Sequence, residues 1–113
     1  MSDVQLGKTT PSYNTKICED RINKYADKIL SITEVQRRHH PVHEARIYML
    51  GDLIEGEMIF PGQAHSIDAS MFRQIMIDGP RIFGGFINKL LAGFQKIHIV
   101  CIPGNHGHVG GSC

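Results

Sequence analysis

Three observations predict an α/β fold whose parallel strands are joined by helical crossovers. Two short apolar runs, Arg46 to Leu50 and Ile97 to Ile102, are bounded by turn-forming residues, as buried strands are. A longer stretch with helical spacing precedes each run. Each run then ends in a small polar loop that carries a glycine, and this alternation builds parallel sheets.

The elements follow in order. From about Lys16 to Arg38, apolar residues recur at Ile22, Tyr25, Ile29, Ile32 and Val35, steps of three and four that place them on one helical stripe. Asn14 or Thr15 is the expected cap, and Pro41 ends the helix near His39-His40 because it restrains the residue before it away from helical angles. After the first strand comes a loop, Gly51 to Ala64, punctuated by Gly56, Pro61 and Gly62. A second helical region runs from about Asp68, its expected cap, to Phe94, with a kink expected where Gly79-Pro80 and Gly84-Gly85 interrupt it. Pro103-Gly104 stops the second strand.

Composition bounds the function. At 113 residues and 42% hydrophobic, the chain has material for one modest domain with a real core. Lys and Arg number 12 against 11 Asp and Glu, so no net field steers nucleic acid, and a phosphate ligand must be held locally by metals or backbone donors. Cys18, Cys101 and Cys113 are odd in number and irregularly spaced, no secretory leader precedes them, and a reducing cytoplasm is the expected setting. No apolar run approaches the roughly 20 residues of a membrane span. The glycine-rich stretch from Gly107 to Cys113 is expected to fray.

Three polar runs carry the chemistry: Ser2-Asp3-Val4-Gln5, the run from Gly51 to Gly56 that contains Asp52, and Gly104-Asn105-His106-Gly107. In open α/β sheets, ligands gather beyond the carboxyl ends of strands, where Asp52 and Asn105 both fall. Two hard cations held close together need a bridging carboxylate, further oxygen or nitrogen donors, and a water made acidic enough to attack. Asp52 suits the bridge, since Gly51 lets the chain turn abruptly. Asn105 offers a neutral amide oxygen. His106 could bind metal, or could donate a proton to a leaving oxygen.

These residues carry a resemblance. Gly51-Asp52, Gly104-Asn105-His106 and the Asp3-Val4-Gln5 opening resemble the first three motifs of the calcineurin-like metallophosphoesterase superfamily. The string Gly-Asp-Leu-Ile-Glu-Gly-Glu-Met-Ile-Phe-Pro-Gly-Gln, residues 51 to 63, is similar to the corresponding segment of the small, exonuclease-like subunit of archaeal family-D DNA polymerase and of phage-encoded phosphoesterases. The resemblance implies a partial αββα sandwich, the N-terminal half of the family's domain, with residues 1 to 113 as a truncated version. It implies two divalent ions, manganese or similar, with magnesium, iron or zinc as alternatives. Asp3 would be a ligand of the first ion, with Gln5 beside it, Asp52 the bridge, Asn105 a ligand of the second ion, and His106 the outer acid. The implied substrate is a phosphodiester, nucleic acid in particular. The rival expectation is a degenerate, non-catalytic scaffold or subunit in a replication or viral assembly.

Three departures favour that rival. Gln5 stands where the family has a metal-binding histidine, Gly107 replaces an acidic residue that often follows Asn-His, and the family's later Gly-His-x-His run has no counterpart. The sheet is expected to be incomplete, so that a homo-oligomer or a partner chain would complete it, and low or no activity is expected of this piece alone. Glu55 and Glu57 read as solvated loop carboxylates, and His39, His40 and His43 as an exposed loop. His98 reads as an ordinary sheet residue, Lys8 as solvated but within reach of a phosphate, and Gln63 as a residue that positions its loop or the substrate. A zinc site built from His106, His108 and Cys101 or Cys113 is disfavoured, because no Cys-x-x-Cys run supports it.

Overall fold

The computed structural model describes residues 1–107. The chain is a mixed helix and parallel-strand fold: α1 (Thr15–Arg37), β1 (Glu44–Met49), a 3₁₀ turn (Gln63–His65), a helical run made of α2 (Met71–Arg73), a π turn (Gln74–Asp78) and α3 (Gly79–Leu91), then β2 (Lys96–Cys101). β1 and β2 pair in parallel, with Glu44 opposite Lys96 and Met49 opposite Cys101, so the expected crossover topology holds. No helix among the described residues is long and apolar enough to cross a membrane.

Asn14 is the cap of α1: its side chain accepts from the Ile17 amide at 2.9 Å, satisfying one of the donors that a helix start leaves unpaired. The buried face of α1 differs from the expected stripe. Cys18, Ile22 and Ala26 are buried, whereas Ile32 and Val35 are 54% and 51% exposed. The small side chains at 18 and 26 let α3 approach closely, so the contact face lies over them and the larger residues fall beside it. Tyr25, half exposed, stacks on Phe86 with ring centroids 5.8 Å apart.

Ile47 and Met49, two residues apart on β1, turn the same sheet face into a core shared with Leu6, with Cys18, Ile22 and Ala26 of α1, and with Ile82, Phe86 and Leu90 of α3. Both helices therefore cover that face. Tyr48 and Val100, paired on the other face, stay about half exposed. Ile99 and Ile102 are also exposed.

The helix expected from Asp68 starts later. Ser70 caps it by accepting from the Arg73 amide, and Asp68 instead accepts from the Thr15 amide at 2.7 Å and from the Thr15 hydroxyl at 2.6 Å, tying this loop to the start of α1. The expected kink takes the form of the π turn. The Gly79 amide bonds back to the Gln74 carbonyl, a Cβ at Gly79 would meet that oxygen at 2.4 Å, and Pro80 has no amide to restore the α pattern. Gly84-Gly85 does not interrupt α3.

Asp78, 4% exposed, joins the two ends of the π turn. Its carboxylate accepts from Arg73 at 3.3 Å and from Arg81 at 3.4 Å, and Arg81 also pairs with Glu19 of α1. The Arg73 guanidinium, helped by Arg81, holds the Asp78 carboxyl below its ordinary pKa against the opposing effect of burial. A carboxyl with a lowered folded pKa contributes stability that is full above its unfolded pKa of about 3.9 and is lost as pH falls through the folded value. Asp78→Asn is accordingly expected to flatten the acid limb of the stability curve below about pH 4, read by urea unfolding at stepped pH. An unchanged acid limb would contradict this assignment.

Candidate metal centre

The segment Met1 to Leu6 runs alongside the chain that leaves β1. The Leu50 amide donates to the Met1 carbonyl, the Asp3 amide to the Gly51 carbonyl (3.1 Å), the Gln5 amide to the Asp52 carbonyl (3.0 Å), and the Leu6 amide to the Leu53 carbonyl (3.0 Å). The Glu55 amide returns to the Leu6 carbonyl at 2.9 Å. This ladder places Asp3, Gln5 and Asp52 side by side at the carboxyl end of β1. Asp3, Gln5 and Asp52 are also, among the described residues, the non-glycine residues with left-handed backbone, at φ of 51°, 50° and 49°. Such a conformation costs an L-residue about 1–2 kcal/mol, and aspartate tolerates it better than glutamine does.

The third run arrives from β2. Asp52 Oδ1 accepts from the His106 amide at 2.9 Å, and a Cβ at Gly104 would lie 2.0 Å from that same oxygen. Asp52 thus touches both chain neighbours of Asn105, and the three sequence runs share one rim. Asp3 and Asn105 are exposed there, Asp52 and Gln5 half-buried. Gln5 Oε1 accepts from Lys8 Nζ at 2.9 Å, a bond it must loosen to ligate an ion.

His106 is held from the β1 side. Its Nδ1 lies 2.7 Å from the Glu55 carbonyl oxygen and 3.5 Å from Glu55 Oε2. Glu55, read from sequence as solvated, is 1% exposed. It lies buried because residues 53–55 continue the extended pairing with Leu6 and Gln63 covers the carboxyl. Gln63 Nε2 donates to the Glu55 carbonyl at 2.8 Å and to Oε1 at 3.2 Å, while Gln63 Oε1 accepts from the Ile59 amide, so Gln63 does position its loop. Glu57 accepts from the Met71 amide at the start of α2. Gly56 has φ of 78° and packs so closely that a Cβ would lie 2.3 Å from the His106 carbonyl.

His39, His40 and His43 are exposed, as expected, and His98 faces Glu44 across the β1–β2 pair at 3.4 Å. Cys18 and Cys101 are free thiols, and burial pushes the Cys18 thiol up, away from a reactive thiolate. His108 and Cys113 lie outside the described residues.

The donors on the rim are carboxylate and amide oxygens, the chemistry a hard divalent ion takes. Among the described residues, no group of three or more His, Cys, Asp or Glu side chains is gathered to hold an ion. Two carboxylates and two amides are oxygen donors of the kind one such ion takes, with water for the rest of its sphere. They do not by themselves fill a two-ion centre. A cavity of about 460 Å³ opens beside Asp3 and Gln5 toward α1, with Lys8, Tyr13 and Arg21 on its wall. Arg21 sits over the Tyr13 ring, 5.5 Å from its centroid, and burial pushes the Tyr13 phenol well above its ordinary pKa, so its hydroxyl stays protonated and donates to the Val4 carbonyl at 2.6 Å. Comparison of the chain with protein-family models, with curated proteins and with solved structures finds no match.

Proposed function

We propose that Asp3, Gln5, Asp52, Asn105 and His106 form the N-terminal part of a metal-dependent phosphoesterase centre within a calcineurin-like sandwich fold, acting in the cytoplasm on phosphodiesters, with nucleic acid as the favoured substrate class. One observation carries this reading: three of the four candidate ligands occupy strained left-handed backbone at one strand end. Strain of this kind persists where surrounding structure over-determines it, and it concentrates at functional sites. A core needs no such conformation at three polar residues.

Divalent ions held here, manganese or a similar metal, would supply a water acidic enough to attack phosphorus. The chain's own residues do the rest. Asp52 holds the His106 amide and keeps its second oxygen for the ion, Asn105 adds an amide oxygen without adding charge, and the His106 imidazole is the proton source for the leaving oxygen. Lys8 and Arg21, on the adjoining cavity wall, bring the positive charge that a phosphate needs in a chain of nearly neutral balance.

A second reading, the degenerate scaffold, draws support from Gln5, whose amide oxygen is engaged by Lys8. Manganese titration by calorimetry, followed by hydrolysis of bis-p-nitrophenyl phosphate, separates the two. Wild-type protein is expected to bind manganese and to turn over substrate slowly, because the rim alone does not fill a two-ion centre, and Asp52→Asn to lose that turnover. The variant keeps an oxygen for the His106 amide, so its fold should persist. Metal binding without turnover selects the scaffold, and absence of both discards the centre.

A further inference from the structure

We propose that the cavity between α1 and the segment from Asp3 to Tyr13 is a seat for one nucleobase, so that the ester at the rim belongs to a nucleotide whose base is unstacked, in a single strand or at a strand end. Its volume of about 460 Å³ lies within the roughly 300–1,000 Å³ of small-molecule sites. Cys18, Ile22 and Tyr25 follow at steps of four and three, so one face of α1 makes a wall of the cavity. Asp3 and Gln5 line the cavity and also belong to the rim, so a molecule seated here ends beside the candidate ion ligands.

The walls suit a flat ring that carries an anion. Tyr25 stacks on buried Phe86, with centroids 5.8 Å apart and planes within 5° of parallel, and a base laid on the far face of Tyr25 would extend that stack. The Arg21 guanidinium, 5.5 Å from the Tyr13 centroid, is a second plane on which bases stack. Tyr13 is fastened before any ligand arrives: its hydroxyl donates to the Val4 carbonyl at 2.6 Å, and its backbone exchanges two bonds with Thr10, at 2.8 and 3.3 Å. A site formed in advance spends little binding free energy on ordering itself. Lys8 and Arg21 face Asp3 as the one carboxylate on the cavity wall, and neither cation pairs with a carboxylate among the described residues. Lys8 donates to the neutral Gln5 amide, which leaves its charge in place. An aliphatic ligand would use neither the rings nor the charge, and a base inside a duplex cannot enter while it stays stacked. The place of the phosphate at the rim rests on the phosphoesterase reading; the seat for the ring does not.

The test is NMR titration of the full chain in EDTA with adenosine 5′-monophosphate and, separately, with ribose 5-phosphate. The two probes carry the same phosphate and differ in the base. Adenosine monophosphate is expected to bind at least about tenfold more tightly, the margin that stacking on an aromatic side chain supplies, with nuclear Overhauser contacts from the adenine protons to the Tyr13 and Tyr25 rings. Tyr25→Ala is expected to remove most of that margin while ribose 5-phosphate binds as before. Oligo(dA) is expected to displace adenosine monophosphate, and relaxed circular duplex DNA at the same nucleotide concentration is not. Equal affinity for the two probes, or no binding of either, overturns the proposal even if the variant fails to fold. So do adenine contacts to other rings, a folded Tyr25→Ala protein that keeps the full preference, and duplex that competes as well as oligo(dA). EDTA keeps manganese out of the experiment, so a failed hydrolysis assay leaves the seat standing, and an empty seat leaves the ion centre to its own test.

Discussion

Gly104→Ala is expected to lower the unfolding free energy by about 3 kcal/mol and to abolish manganese binding, the upper range of what overpacking costs. A Cβ at this position would lie 2.0 Å from Asp52 Oδ1, 2.2 Å from the Asp52 amide nitrogen and 2.6 Å from Asp52 Cγ. The side-chain oxygen alone could swing away, at the loss of its bond to the His106 amide. The backbone nitrogen cannot, because the Asp52 carbonyl is tied to Gln5 and its neighbour Gly51 to Asp3. The two strand ends must therefore separate, and separation takes Asp52 from Asn105. Gly84→Ala is the control. That glycine sits inside α3 with nothing within 4 Å of an added Cβ, so alanine there should stabilise by up to about 1 kcal/mol through helix propensity. Urea unfolding and calorimetry on both variants check the pair; a Gly104→Ala protein that matches the Gly84→Ala protein in both would remove the case for a shared rim.

That contrast also marks what the sequence could reveal. Gly84 and Gly104 look alike as letters, and the expectation that Gly84-Gly85 would break the helix rested on propensity alone, which packing of Ile82, Phe86 and Leu90 overrides. Signals that act within a few residues were legible: the Asn14 cap, the apolar strands at 44–49 and 96–101, the stop at Pro41, the break near Gly79-Pro80. So was the gathering of the polar runs at one rim, because parallel topology alone brings strand ends together. Signals that depend on distant backbone were not legible. Glu55 reads from sequence as a solvated loop carboxylate, yet it is buried, as are the long polar side chains of Gln63 and Gln74. Gln63 and Gln74 are buried because backbone groups elsewhere in the chain lack partners and these side chains supply them. Asp68 was misread for the same reason: its carboxylate serves Thr15, 53 residues away, instead of the helix beside it.

Gln74 bears the greatest weight of this kind, and Gln74→Leu is expected to destabilise the chain by about 4 kcal/mol, a large share of the roughly 5–15 kcal/mol that holds a domain together. The side chain is fully buried in the π turn. Its Oε1 accepts from the Gly56 amide at 2.8 Å, and its Nε2 donates to the Gly56 carbonyl at 3.1 Å and the Ala69 carbonyl at 2.8 Å. Leucine fills similar space but strands all three backbone groups, at about 1–3 kcal/mol for each buried group left unpaired, carbonyls falling toward the low end. The damage should reach the rim, since Gly56 follows Glu55 and lies against the His106 carbonyl. Thermal unfolding should register a midpoint lowered by at least about 15 °C, given a few degrees per kcal/mol for a domain this size. The His106 ring signals should broaden or shift in the same variant while the β1–β2 amides keep theirs, because the loss is centred on the loop and not on the sheet. A Gln74→Leu protein within about 1 kcal/mol of the parent would mean that water reaches these backbone groups, and a loop open to water could not hold Glu55 dry beside His106.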